Sequence, residues 1–221
     1  MARDFTVEDA KRFYDRFGEK QDLQFYENPA LDRLVALSDF EHAANVFELG
    51  CGTGRLAERL FREHLPSPAR YVGVDVSATM TRLAEQRLAR WRDRALVRQS
   101  DGTGRQPEPA SSFDRFLATY VLDLLPEPRI REALDEAHRL LTDDGSLCVV
   151  ALTEGRGTIP RVICAAWKGL HAVSPRLVGG CRPLQIQDFL DRAAWRLYHA
   201  ELVSSWGVCS EVVLARAIHK A

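Results

Sequence analysis

Hydrophobic and polar positions change their period several times along the chain. Near the N-terminus Ala10, Phe13, Tyr14 and Phe17 recur at helical spacing behind a capping pair, Thr6 and Asp9, and stop at Gly18; an amphipathic helix is predicted over 6–17. A second helix is predicted over 30–42, after Pro29. The pattern then shifts to a short apolar run, Asn45-Val46-Phe47-Glu48-Leu49, that meets a glycine cluster, which predicts a buried strand ending in a tight turn. Beyond it strands and helices alternate: helix 54–64, strand 71–75, helix 78–92 opened by Ser77, strands 96–99 and 113–118, and helix 129–140. A turn at Asp143-Asp144-Gly145 and a strand over 147–152 close the series.

Such alternation implies a doubly wound α/β sheet, mostly parallel, with helices on both faces and ligands bound at the carboxyl ends of the strands. The remainder departs from it. A glycine-rich turn at Gly155-Arg156-Gly157, a helix-like stretch over 161–173 and a loop over 174–183 with Gly179-Gly180 read as an insertion. A helix is predicted over 184–193, then a strand over 195–203 and a last alternating run over 211–216, which could pair as an antiparallel edge.

Composition narrows the partners. The 221 residues suit one domain, and 46% apolar with 28% charged residues is ordinary globular composition. A net charge of -1 gives no overall field toward DNA or an anionic membrane. Five cysteines, odd in number and without a C-x-x-C pair, point to a reducing compartment and no structural metal. The opening Met1-Ala2-Arg3-Asp4-Phe5 lacks the apolar region of a signal peptide, and no apolar run approaches the ~18 residues of a membrane span. A cytoplasmic protein without a transmembrane segment is expected.

The chemistry concentrates at three strand ends. Glu48-Leu49-Gly50-Cys51-Gly52-Thr53-Gly54 lies between a strand and a helix, where glycines let the backbone approach a ligand and free N–H groups meet its polar end. A dinucleotide fingerprint requires its third glycine at position 55, which is Arg55, and no Gly-Lys-Ser/Thr of a phosphate loop follows. Asp75 ends the next strand, 21 residues after Gly54, where a carboxylate can accept from both hydroxyls of a ribose. Asp101-Gly102 follows the third strand, and two roles are open to it: reading the amino edge of an adenine, or forming a turn.

Together these residues resemble the class I S-adenosylmethionine-dependent methyltransferases, whose E/D-x-G-x-G-x-G motif, strand-end acid and later aspartate match Glu48 to Gly54, Asp75 and Asp101. Val46 to Gly54 and Asp75-x-Ser77-x-x-Met80 look most like the quinone-biosynthesis and phospholipid type. The resemblance implies a Rossmann-like, seven-stranded sheet with an antiparallel last strand. It divides the chain into an N-terminal helical lid (1–44), a cofactor-binding core (45–152), an insertion capping the substrate (153–183) and a C-terminal helix and hairpin (184–221). It also implies S-adenosylmethionine as cofactor, with S-adenosylhomocysteine as product. Gly50, Cys51, Gly52 and Gly54 would hold the methionyl part with Glu48 beside it, Asp75 the ribose, Val76 and Met80 the adenine face, Asp101 and Gly102 the adenine edge. Tyr120 would face the methionine end, or simply pack in the core.

The acceptor is expected to be a small or lipid-like molecule. No N-P-P-Tyr or Asp-P-P-Tyr tetrapeptide stands after the fourth strand, where Thr119-Tyr120-Val121-Leu122 is found, and a DNA substrate is not expected. Acceptor contacts are sought outside the cofactor half, at Tyr14, Tyr26, Asp123, His171 and Arg182. Tyr14 could equally pack a helix, His171 serve as an ordinary helix residue, and Arg182 brace its loop rather than grip an anion. Two rival functions share the fold: a nicotinamide-dependent oxidoreductase and a non-catalytic cofactor-binding module.

Overall fold

The structure, a computed structural model, describes residues 27–155 and 181–219, together with residues 8, 9, 11, 12 and 15. Within residues 27–155 and 181–219, four α-helices, α1 (Asn28–Leu37), α2 (Arg55–Glu63), α3 (Ala78–Arg87) and α4 (Glu127–Leu140), flank one sheet. Its strands are β1 (Asn45–Leu49), β2 (Arg70–Asp75), β3 (Ala95–Gln99), β4 (Phe113–Thr119), β5 (Leu141–Leu152), β6 (Trp195–Ser205) and β7 (Val208–Ala217). Their order is β3-β2-β1-β4-β5-β7-β6, with β7 antiparallel to both its neighbours and the other six strands running one way. The chain leaves β1 in one direction for β2 and returns past it to β4, so the sheet reverses between β1 and β4, where α/β sheets open a ligand crevice.

Alternation along the strands makes two cores. Val46, Leu117, Cys148 and Leu214 pack with α1, α2 and α3, while their neighbours Phe47, Phe116, Leu147 and Val213 pack with Ile130, Ala133 and Leu134 of α4. Between β3 and β4, residues 100–112 form no helix, so α4 and this segment share that face.

The structure modifies several expected elements. The helix expected over 30–42 stops at Leu37, and Asp39, at φ 50, leads into a 3-10 turn at Phe40–His42. The turn expected at 143–145 is an irregularity within β5, where pairing skips from Phe113↔Leu141 to Arg115↔Ser146 and Asp144 takes φ 64. The helix expected over 184–193 shrinks to a 3-10 turn at Ile186–Phe189. The sheet captures its start: Leu184 N–H donates to Leu152 O at 2.8 Å, and Glu211 accepts from Ile186 N–H at 2.6 Å. β7 enters between β5 and β6, which makes β6 the outer strand of the final hairpin. Of the helix expected over 6–17, Glu8, Asp9, Lys11, Arg12 and Asp15 are described and helical; the stretch 161–173 lies outside the described residues.

Candidate active site

The glycine turn is built by main-chain bonding. As β1 ends, Gly50 and Cys51 N–H groups both donate to Val74 O, at 2.8 and 3.0 Å, which swings the chain over the end of β2. Gly50 takes φ +72 and a Cβ there would stand 2.7 Å from a Val121 methyl, so no side chain fits. Gly52, at φ +53, has nothing within 4 Å of where its Cβ would be, and that space belongs to the cleft. Gly54, in the left-handed region, caps α2.

Asp75 is locked across this turn. Its Oδ2 accepts from Gly52 N–H at 3.0 Å and its Oδ1 from Ser77 N–H at 2.9 Å. A carboxylate offers about four acceptor positions, so capacity for ligand hydroxyls remains beyond these backbone donors. Burial pushes the Asp75 carboxyl up to about 6, against the pull of those backbone donors. Ser77 caps α3 by accepting from Met80 N–H at 3.2 Å. Asp15 docks on the same helix end, accepting from Ser77 Oγ at 2.6 Å and Thr79 N–H at 3.2 Å, which brings the N-terminal segment beside Asp75.

Beneath the turn, Glu48 is fully buried and accepts from the Tyr71 hydroxyl at 2.5 Å. Burial pushes its carboxyl up to about 8. Tyr71 escaped the sequence reading, although the strand glycine Gly73 signalled it: a Cβ there would lie 2.5 Å from the tyrosine hydroxyl. Cys51 is buried and its thiol is also raised by burial.

A cleft of about 1060 Å³, mouth included, opens along the carboxyl ends of β1, β2 and β4. Of the residues expected to hold the cofactor, Gly50, Gly52, Asp75, Val76, Met80, Gly102 and Tyr120 line it. Glu48, Cys51, Gly54 and Asp101 do not. The first three support the turn from behind, Glu48 beneath it, Cys51 through its amide and Gly54 as the cap of α2. Asp101 stands differently: it is exposed, and its Oδ1 accepts from both Thr103 N–H at 2.8 Å and Thr103 Oγ at 2.6 Å. A short polar side chain in a loop bonds the backbone two residues on, and those bonds hold the Asp101 carboxyl below the usual carboxylate range. Ser100, Gln106 and Arg129, which the sequence did not single out, line the cleft on that side.

At the other end, Tyr120 sits at φ 53, a conformation that costs a tyrosine about 1 to 3 kcal/mol and that surrounding structure must impose. Its N–H donates to Val150 O at 2.7 Å and its hydroxyl pairs with Ser210 Oγ at 2.8 Å. Asp123 and Arg182, expected at the acceptor, stand behind this wall and do not line the cleft. Asp123 is fully buried, accepts from Leu152 N–H at 3.1 Å, and is pushed by burial up to about 7. Arg182 braces: its N–H donates to Asp123 O at 3.0 Å and its guanidinium to Leu125 O at 2.8 Å. Tyr14, Tyr26 and His171 lie outside the described residues. Among the described residues no cluster of three metal-ligating side chains occurs, and no helix is long and apolar enough to cross a membrane.

Residues 46–145 match the family described as a methyltransferase domain. A demethylmenaquinone methyltransferase of Lactiplantibacillus plantarum is 33% identical over 100 residues, 44% of this chain and 40% of that one. A tRNA N(3)-methylcytidine methyltransferase, Mettl2 of Drosophila melanogaster, is 26% identical over 150 residues, 63% of this chain and 46% of that one. The chain thus spans less than half the length of either relative. Among solved structures, the N-methyltransferase NodS of Bradyrhizobium japonicum in complex with S-adenosylhomocysteine superposes with a TM-score of 0.69 at 19% identity, covering 98% of this chain and 100% of NodS. The family match lies across β1 to β5, so residues 46–145 carry a methyltransferase domain, in keeping with the resemblance to the class I S-adenosylmethionine-dependent methyltransferases.

Proposed function

We propose that this chain transfers a methyl group from S-adenosylmethionine to a small-molecule or lipid-like acceptor by in-line displacement. The observation that carries the donor site is Asp75, lining the cleft and held by the Gly52 and Ser77 N–H groups, beside Gly52, whose missing side chain leaves open space in the same cleft. Asp75 holds the ribose, Val76 and Met80 lie against the base, and Gly50, Gly52 and Tyr120 bound the methionyl end. Bound there, the donor supplies a methyl group already made electrophilic by its sulfonium.

The protein's part is alignment and exclusion of water. Leu49, Val121, Leu124 and Leu125 give the cleft apolar walls, and Asp15, fixed to the start of α3, supports residues 1–44 as a lid over the ribose end. A neutral amine acceptor needs only desolvation, so no base is obligatory; a hydroxyl or carbon acid needs one within reach. The apolar lining, the net charge of -1 and the likeness to a demethylmenaquinone methyltransferase support an uncharged, lipid-like acceptor. Cys51 and Cys148, both buried, form no disulfide, which supports a reducing, cytoplasmic setting.

Two measurements test this. S-adenosylhomocysteine, but not NAD, should raise the melting temperature; the reverse would favour the oxidoreductase reading. Incubation with methyl-tritiated donor and fractionated cell extract should label the organic-soluble fraction. Label confined to RNA or protein would refute the acceptor class, and donor binding without any transfer would favour the non-catalytic module.

A further inference from the structure

The cleft extends past the glycine turn. Its lining takes in Phe47, Val74 and Phe116 of the sheet and Ala133 of α4, a pouch on the face where residues 100–112 form a loop instead of a helix. Two polar side chains, Gln106 and Glu136, line it. Glu136 is fully engaged, accepting from Gln106 N–H at 2.7 Å and from Arg139 at 2.8 and 2.5 Å. Gln106 is buried yet less committed. Its Oε1 accepts from Arg98 at 3.1 Å, and its Nε2 makes one long contact, 3.3 Å to Gly104 O. Arginine can only donate, so the amide orientation is settled: oxygen toward Arg98, nitrogen with a hydrogen to spare. Arg98 is itself gripped by both oxygens of Glu108, at 2.8 and 2.7 Å.

We infer that Gln106 reads the base of the donor nucleoside by offering an amide N–H to N1 of adenine, next to the amino edge that the sequence motif assigns to Asp101 and Gly102. The inference rests on the donor site proposed above. Asp101 has turned its carboxylate to Thr103 and does not line the cleft, whereas Gln106 lines the pouch where the edge of a base would enter. Adenine N1 is an acceptor. Hypoxanthine carries a hydrogen there, which would meet the Gln106 N–H donor against donor, and an unpaired buried polar group is what makes such discrimination strong.

Calorimetric titration of the full chain with S-adenosylhomocysteine and with S-inosylhomocysteine tests this. The wild type should prefer the adenine nucleoside by about tenfold or more, the worth of one well-made hydrogen bond. Gln106→Leu should bring the preference below about threefold. Gln106→Glu, which cannot donate and stays ionised beside Arg98, should reverse it, and serves if the leucine variant does not fold. Asp101→Asn should keep the wild-type preference. The assignment is overturned if the Gln106 variants keep the preference, if Asp101→Asn abolishes it, or if the wild type binds both nucleosides equally. A wild type that takes up neither would overturn the donor site itself, and this role with it.

Discussion

Replacing Asp75 by asparagine changes one oxygen into an NH2 group and little else, so its effects can be worked out from the hydrogen bonds. In the free protein the amide keeps one acceptor for the N–H of Gly52 or Ser77 and sets its NH2 against the other, a loss of about 1.5 to 3 kcal/mol for a bond to a charged group. The same change removes a buried charge. Because burial lifts this carboxyl from 3.8 to about 6, ionisation at pH 8 costs at most about 3 kcal/mol, less what its exposed edge at the cleft recovers. The two terms nearly cancel, and the fold should melt close to wild type. Binding has no such offset: of two ribose hydroxyl bonds to a carboxylate one is lost, and affinity for S-adenosylhomocysteine should fall about 10- to 150-fold. Titration calorimetry at several pH values gives a second readout. The ligand needs the carboxylate, so wild-type affinity should hold above pH 6 and weaken about tenfold per unit as pH falls through the Asp75 titration, while Asp75→Asn stays flat there. A variant that binds within threefold of wild type, or a wild-type affinity indifferent to pH between 5 and 7, would refute the ribose role.

Other consequences follow from the same geometry. Gly50→Ala imposes a left-handed alanine and a 2.7 Å clash with Val121, together about 2 to 5 kcal/mol; the melting temperature should drop by roughly 5 to 15 °C, and Val121→Ala should restore part of it. Glu48, pushed up to about 8, takes up a proton on folding at any pH between its ordinary range and 8; stability should therefore decline with rising pH across that window and level off above it. Glu48→Gln, whose oxygen still accepts from Tyr71, should flatten the decline, and parallel melting curves from pH 5 to 9 would contradict the burial argument. Arg182→Ala removes the bond that braces Leu125 O behind the cleft wall and should lower stability by about 1 kcal/mol, raise the acceptor KM through Leu125 and leave donor affinity intact; unchanged acceptor kinetics would leave Arg182 a brace without bearing on the acceptor.

What the residues alone determined is local. The glycines of 50–54 are legible because a left-handed, ligand-facing backbone excludes side chains, and Asp75 because a strand end beside that turn fixes where its carboxylate points. Alternating periods likewise placed β1 to β5 and the helices between them, since a period reports which face of an element is buried. Contacts between distant segments decided the rest. Asp101 closes its own turn because Thr103, two residues on, offered donors that no periodicity reveals, and Gln106 lines the cleft with Arg98 and Glu136, 8 and 30 residues away, holding its side chain and backbone. The expected helix after residue 184 gave way to an extended segment once Leu152 and Glu211 supplied partners for its N–H groups, and β7 entered the sheet between β5 and β6. A side chain in a loop, or a segment whose main chain has two possible sets of partners, takes the direction that the packed molecule provides, and that provision does not exist until the chain has folded.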